Sequence, residues 1–169
     1  LKPILTRPKA LRLEISLIFQ QRSVLISLPR PRSKISMAST VPLKVAIYEN
    51  PGIKHWSLFI DAADRDDKTT IQLLGAQQKY FCQVSARSDS SISNSLIELC
   101  SLCEIDASKI DTVKNIAWDT PVRNEESDYS CQDFVLEILD RLEEKGIILN
   151  GRDYQNNKEA VKAKRESWK

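Results

Sequence analysis

His55-Trp56-Ser57-Leu58-Phe59-Ile60-Asp61 is the stretch on which the fold turns. It is apolar on both faces and carries β-prone residues, which predicts a central strand over 55–61. Upstream, Leu43, Val45 and Ile47 alternate, so 43–48 reads as a strand, and Asn50-Pro51-Gly52 supplies the turn between the two. Downstream, a charged loop over 62–68 leads to a third strand over 69–74 that closes at Gly75, and 80–86 reads as a fourth.

After a Ser/Asp loop at 85–91 the period changes. Leu96, Ile97, Leu99, Cys100 and Cys103 recur at helical spacing, with Ser91 or Ser93 as cap. Asp106 caps a shorter helical piece with Ile110 and Val113 inward, and 118–127 is a connection containing Pro121. The strongest helix follows. Ser130-Cys131-Gln132-Asp133 has the form of a capping box with Asp at its third helical position. Phe134, Val135, Ile138, Leu139 and Leu142 make one apolar face, and Gly146 supplies the stop. Strands followed by helices predict an α+β domain over 41–150, an antiparallel sheet of about four strands packed against helices. Residues 151–169, with Lys158, Lys162, Lys164 and Arg165, read as a basic, exposed helical tail.

The 169 residues carry a net charge of +2, which conceals an asymmetry. Residues 1–36 hold 8 Lys+Arg against 1 acidic residue, a net of +7. Residues 37–169 hold 17 against 22, a net of −5. A mildly acidic domain argues against a nucleic-acid surface, because phosphate binding needs clustered positive charge. No uncharged apolar run reaches the length of a spanning helix, so no integral membrane segment is expected. Residues 1–40 read as a leader outside the domain. The only methionine, Met37, is followed by Ala38 and Ser39, as at a translation start. The Arg- and Ser-rich composition of 1–36 equally suits a mitochondrial-type transit peptide, although Pro3, Pro8, Pro29 and Pro31 oppose a long presequence helix.

The four cysteines, Cys82, Cys100, Cys103 and Cys131, are expected to be reduced thiols of an intracellular protein, since the chain has core enough to fold without a disulfide frame. Cys100-Ser101-Leu102-Cys103 has redox spacing but would lie inside a helix, where core packing is the simpler role. Zinc would need four ligands, and the chain has one histidine and no second close cysteine pair. The four glycines, Gly52, Gly75, Gly146 and Gly151, make no phosphate loop. No metal or cofactor is therefore expected.

Cys131 at the first position of a helix would have free backbone N–H groups and the positive end of the helix dipole beside its sulfur. Both favour the nucleophilic thiolate, and the same N–H groups could stabilise an oxyanion. Its alternative is a packed core thiol. A thiol nucleophile needs a neighbouring base, and His55 is the one imidazole available. Its alternative is a surface histidine after the turn.

Three motifs together resemble the circularly permuted papain-like fold of lecithin:retinol acyltransferase-like proteins and related thiol peptidases. They are a histidine opening a strand (His55-Trp56-Ser57-Leu58-Phe59), a next strand ending in glycine (Thr70-Ile71-Gln72-Leu73-Leu74-Gly75), and a late cysteine opening a helix (Tyr129-Ser130-Cys131-Gln132-Asp133-Phe134-Val135). The chain is also similar to small uncharacterised fungal proteins with a His-Trp strand and a late Cys-Gln helix. The resemblance spans about 43–147. It implies Cys131 as nucleophile, His55 as base and Gln72 as the group orienting the imidazole. Two positions depart from the family. Gln72 stands where acyltransferase-like members often have a second histidine, and Ser130 stands where they have asparagine. A glutamine can hold an imidazole by a hydrogen bond but cannot act as its charge partner. Gln72 could also be a solvent-facing strand residue. Three functions are thus open: a cysteine-dependent hydrolase or acyltransferase, an inactive binding module on the same scaffold, and a redox protein using Cys100 and Cys103.

Overall fold

The computed structural model describes residues 39–168, so the expectations for 1–36 fall outside the described residues. Five antiparallel strands form one sheet in the order β4-β3-β2-β1-β5: β1 Thr40–Tyr48, β2 His55–Ile60, β3 Thr69–Ala76, β4 Lys79–Ala86 and β5 Leu96–Asp106. Three helices follow, α1 Ile110–Trp118, α2 Cys131–Glu144 and α3 Arg152–Lys162. The domain is α+β, and β2 is the central strand. Among the described residues, no helix is long and apolar enough to cross a membrane.

Period-2 alternation sorts the side chains of the sheet. Val45, Leu58, Ile71 and Val84 stand opposite one another on consecutive strands, and all four belong to or pack against the core built with Val113, Phe134, Val135 and Ile138 of the helices. On the other face the register aligns Ala46, Ser57, Gln72 and Gln83. The β3–β4 turn requires Gly75 at φ 114°, where a Cβ would overlap the Lys79 carbonyl oxygen.

The segment 96–106 is a strand, not the helix that its apolar spacing predicts. Its pairing with β1 has two register shifts: Leu43 faces Cys103 while Lys44 faces Ser101, and Ile47 faces Glu98 while Tyr48 faces Leu96. Leu102 and Ile97 are therefore the extra residues of two β-bulges. Each bulge advances the alternation by one residue, and the accumulated phase error imitates a helical period. Cys100 and Cys103 lie on this strand, opposite Val45 and Leu43, and both are free thiols.

The tail is not an exposed helix. Tyr154, Lys158 and Val161 of α3 are buried, and α3 belongs to the same compact unit as the sheet. Asn157 donates to the Leu102 carbonyl at 2.9 Å, which satisfies a bulged residue. Lys158 reaches Asp140 at 2.5 Å and also Glu143, which accepts from the Tyr154 hydroxyl at 2.6 Å.

The capping box of α2 forms as expected. Ser130 Oγ accepts from the Gln132 N–H at 3.2 Å, and Asp133 Oδ2 accepts from the Ser130 N–H at 3.0 Å. Ser130→Ala is expected to cost about 1 kcal/mol of unfolding free energy. A urea midpoint that does not move would show that this cap contributes nothing.

Candidate functional site

The β2–β3 ladder runs from Ile60↔Thr69 to Ser57↔Gln72 and stops there. Beyond it the Trp56 N–H is donated instead to Cys131 Sγ at 3.5 Å. The Cys131 thiol in turn faces the Lys54 carbonyl oxygen at 3.9 Å. The sulfur thus sits against the backbone on both sides of His55, 76 residues away in sequence.

His55 Nε2 lies 3.0 Å from Gln72 Oε1, and Gln72 Nε2 donates to Gln83 Oε1 at 2.9 Å. Because the Gln72 amide N–H is used on Gln83, its oxygen is the acceptor toward the ring. This assigns the proton to Nε2 and leaves Nδ1 with its lone pair. The His55 ring also lies against Tyr48, with centroids 5.8 Å apart. The three residues singled out in the sequence, Cys131, His55 and Gln72, line one cavity of about 760 Å³. Among the hydrogen bonds of the described residues, none joins the imidazole directly to the sulfur.

The electrostatics differ from the expectation drawn from the helix start. Backbone N–H groups of Trp56, Cys131 and Gln132 do favour a thiolate, but burial outweighs them and Asp133 adds to it, so the Cys131 thiol is held above its ordinary range. Cys131 is only 7% exposed. Burial likewise lowers the His55 imidazole, partly offset by its bond to Gln72. The resting pair is therefore a neutral thiol and a neutral imidazole. Cys82, Cys100 and Cys103 are each pushed up to about 11 by burial, which makes all three poor thiolates.

Three residues escaped the sequence reading. Gln83 has no signal in the sequence beyond its place opposite Gln72. Gln132 and Glu166 complete a closed circuit around Lys54. The Lys54 N–H donates to Glu166 at 2.6 Å, the Glu166 N–H donates to Gln132 Oε1 at 2.7 Å, and Gln132 Nε2 donates to the Lys54 carbonyl at 2.8 Å. The Lys54 ammonium adds a 2.6 Å ion pair to the same carboxylate. Arg165 pairs with Asp133 at 2.6 Å beside it. The strand start that presents His55 is therefore held by α2 and by the segment after α3. Polar Gln132 beside the cysteine was the only clue, and a fully buried glutamine must find partners.

A sequence model for a family of unknown function, DUF6540, matches residues 43–149. The chain belongs to that family. The matched segment contains His55, Gln72, Gln83, Cys131 and Gln132, whereas α3, Glu166 and Trp168 lie beyond it. No curated protein and no solved structure matches the chain. Among the described residues, no group of three or more His, Cys, Asp or Glu side chains could hold a metal ion.

Proposed function

We propose that the protein is a cysteine-dependent hydrolase or acyltransferase of permuted papain-like architecture, acting on an amide, ester or thioester. The observation that carries this reading is the contact of Cys131 Sγ with the backbone flanking His55, combined with the Nε2 bond that leaves Nδ1 free. In the reaction, Sγ attacks the substrate carbonyl carbon as its proton passes to His55 Nδ1. The C=O π pair moves to oxygen, and the Cys131 N–H at the start of α2 stabilises that oxyanion. Collapse breaks the bond to the leaving group, which takes the proton from the imidazolium. Water or an acceptor hydroxyl or amine then attacks the thioester, gives its proton to His55, and releases the free thiol. Gln72 holds the imidazole in the required tautomer, and Gln83 holds Gln72.

The neutral resting pair suits this general-base route better than a preformed thiolate–imidazolium pair. It also favours the second reading, a binding module that keeps the cavity without turnover. Nitrophenyl esters of short acids separate the two. The hydrolase reading expects a burst of nitrophenolate stoichiometric with protein and an acyl group on Cys131 in peptide maps, both lost in Cys131→Ser. A cavity that leaves Cys131 unacylated under these conditions supports the binding module instead.

A further inference from the structure

The wall of the Cys131 cavity is one-sided in charge. Among the described residues, its charged side chains are Glu49 and Asp89, and no lysine or arginine lines it. Asp89 is already engaged, by Ser91 N–H at 3.0 Å, Ser91 Oγ at 2.5 Å and Lys68 at 3.4 Å. Glu49 is exposed, and the lysine that senses its charge, Lys54, has its ammonium on Glu166. Aromatic rings complete the lining: Tyr48, Tyr80 and Trp168. Trp168 packs over the β1–β2 turn so closely that a Cβ on Gly52 would lie 3.1 Å from its ring, three residues from Glu49. A carboxylate with no ion pair among the described residues and aromatic rings in the cavity wall both attract cations. Among the described residues of the wall, an anion would meet no lysine or arginine.

We infer that the site takes acyl substrates that carry a cationic group, an ammonium or guanidinium within a few bonds of the scissile carbonyl, recognised by Glu49 and the indole of Trp168. The inference rests on Cys131 being a reachable nucleophile, as proposed above, and adds the substrate class. Phosphorylated and carboxylate-bearing substrates are disfavoured by the same charge. Glu49 lies within the segment matched by the family and Trp168 lies beyond it.

Three methanethiosulfonates of similar size test it on the full chain, because each converts a thiol to a mixed disulfide and releases methanesulfinate whether or not the protein turns over substrate. One is neutral (propyl), one carries a trimethylammonium group and one a sulfonate. Rates at Cys131 are read by peptide mapping and divided by the rates with 2-mercaptoethanol. At low ionic strength the normalised cation-to-anion ratio is expected to be about tenfold. Glu49→Gln, at an exposed turn position, should lower it at least about threefold, and Trp168→Leu should slow the cationic reagent more than the neutral one. Equal normalised rates, or a ratio unchanged in Glu49→Gln, would overturn the cation preference and leave the thiol reading intact. No reaction of Cys131 with any of the three would overturn both.

Discussion

His55→Ala is expected to slow carbamidomethylation of Cys131 about 100-fold at neutral pH, the range supplied by a positioned general base. The effect follows from the direction of both ionisations. Burial raises the Cys131 thiol, so thiolate is scarce at neutral pH and the unassisted rate should climb about tenfold per pH unit through the neutral range. Burial lowers His55, so the ring stays unprotonated and able to act as base until the pH falls below the ordinary histidine value. The deficit of the alanine variant should therefore be largest near neutrality. It should narrow in alkali, where Cys131 ionises unaided, and in acid, where His55 itself is protonated. A wild-type rate that levels off on the acid side, as a thiolate–imidazolium pair would give, contradicts the neutral-pair description.

The second large effect lies in Gln132. Its carboxamide is fully buried and serves both the Lys54 carbonyl and the Glu166 N–H. Gln132→Ala leaves the Glu166 N–H unpaired and the Lys54 carbonyl with only the Cys131 thiol at 3.9 Å, and is expected to cost about 2–4 kcal/mol. Gln132→Glu keeps an acceptor for Glu166 but brings a second carboxylate beside it and strips Lys54 of its donor, so it should not restore stability. Urea unfolding measures both. A loss under about 0.5 kcal/mol in the alanine variant, the level of an ordinary surface change, would mean that the circuit does not hold the strand start.

The contrast between α2 and β5 shows what local pattern can carry. The start of α2 is written in adjacent residues: Ser130 and Asp133 satisfy each other's backbone, and the apolar face begins at Phe134. The first four strands are also read from local residues, and their expected positions match those of β1 to β4 to within a few residues. Segment 96–106 fails because its two bulges are defined by pairing with β1, information that lies some fifty residues upstream. The site divides in the same way. That His55 begins a strand and Cys131 a helix is local. That Gln72 touches His55 follows from the register of two neighbouring strands. The roles of Gln83, Glu166 and Trp168 depend on tertiary placement alone. The net rise of the Cys131 thiol was hidden for a related reason: a helix N-terminus can be seen in the sequence, but the burial that outweighs its N–H groups cannot.

Lys54, Cys131 and Glu166 meet although Glu166 is made 112 residues after Lys54 and 35 after Cys131. A chain synthesised from its N-terminus can complete the sheet and dock α2 before the residue that grips the start of β2 has left the ribosome. Contacts of such long sequence separation are among the slowest to close. The start of the strand carrying His55 is thus clamped only after the sheet and α2 are in place. Vectorial synthesis therefore imposes an order of assembly, scaffold first and the clamp on Lys54 afterwards.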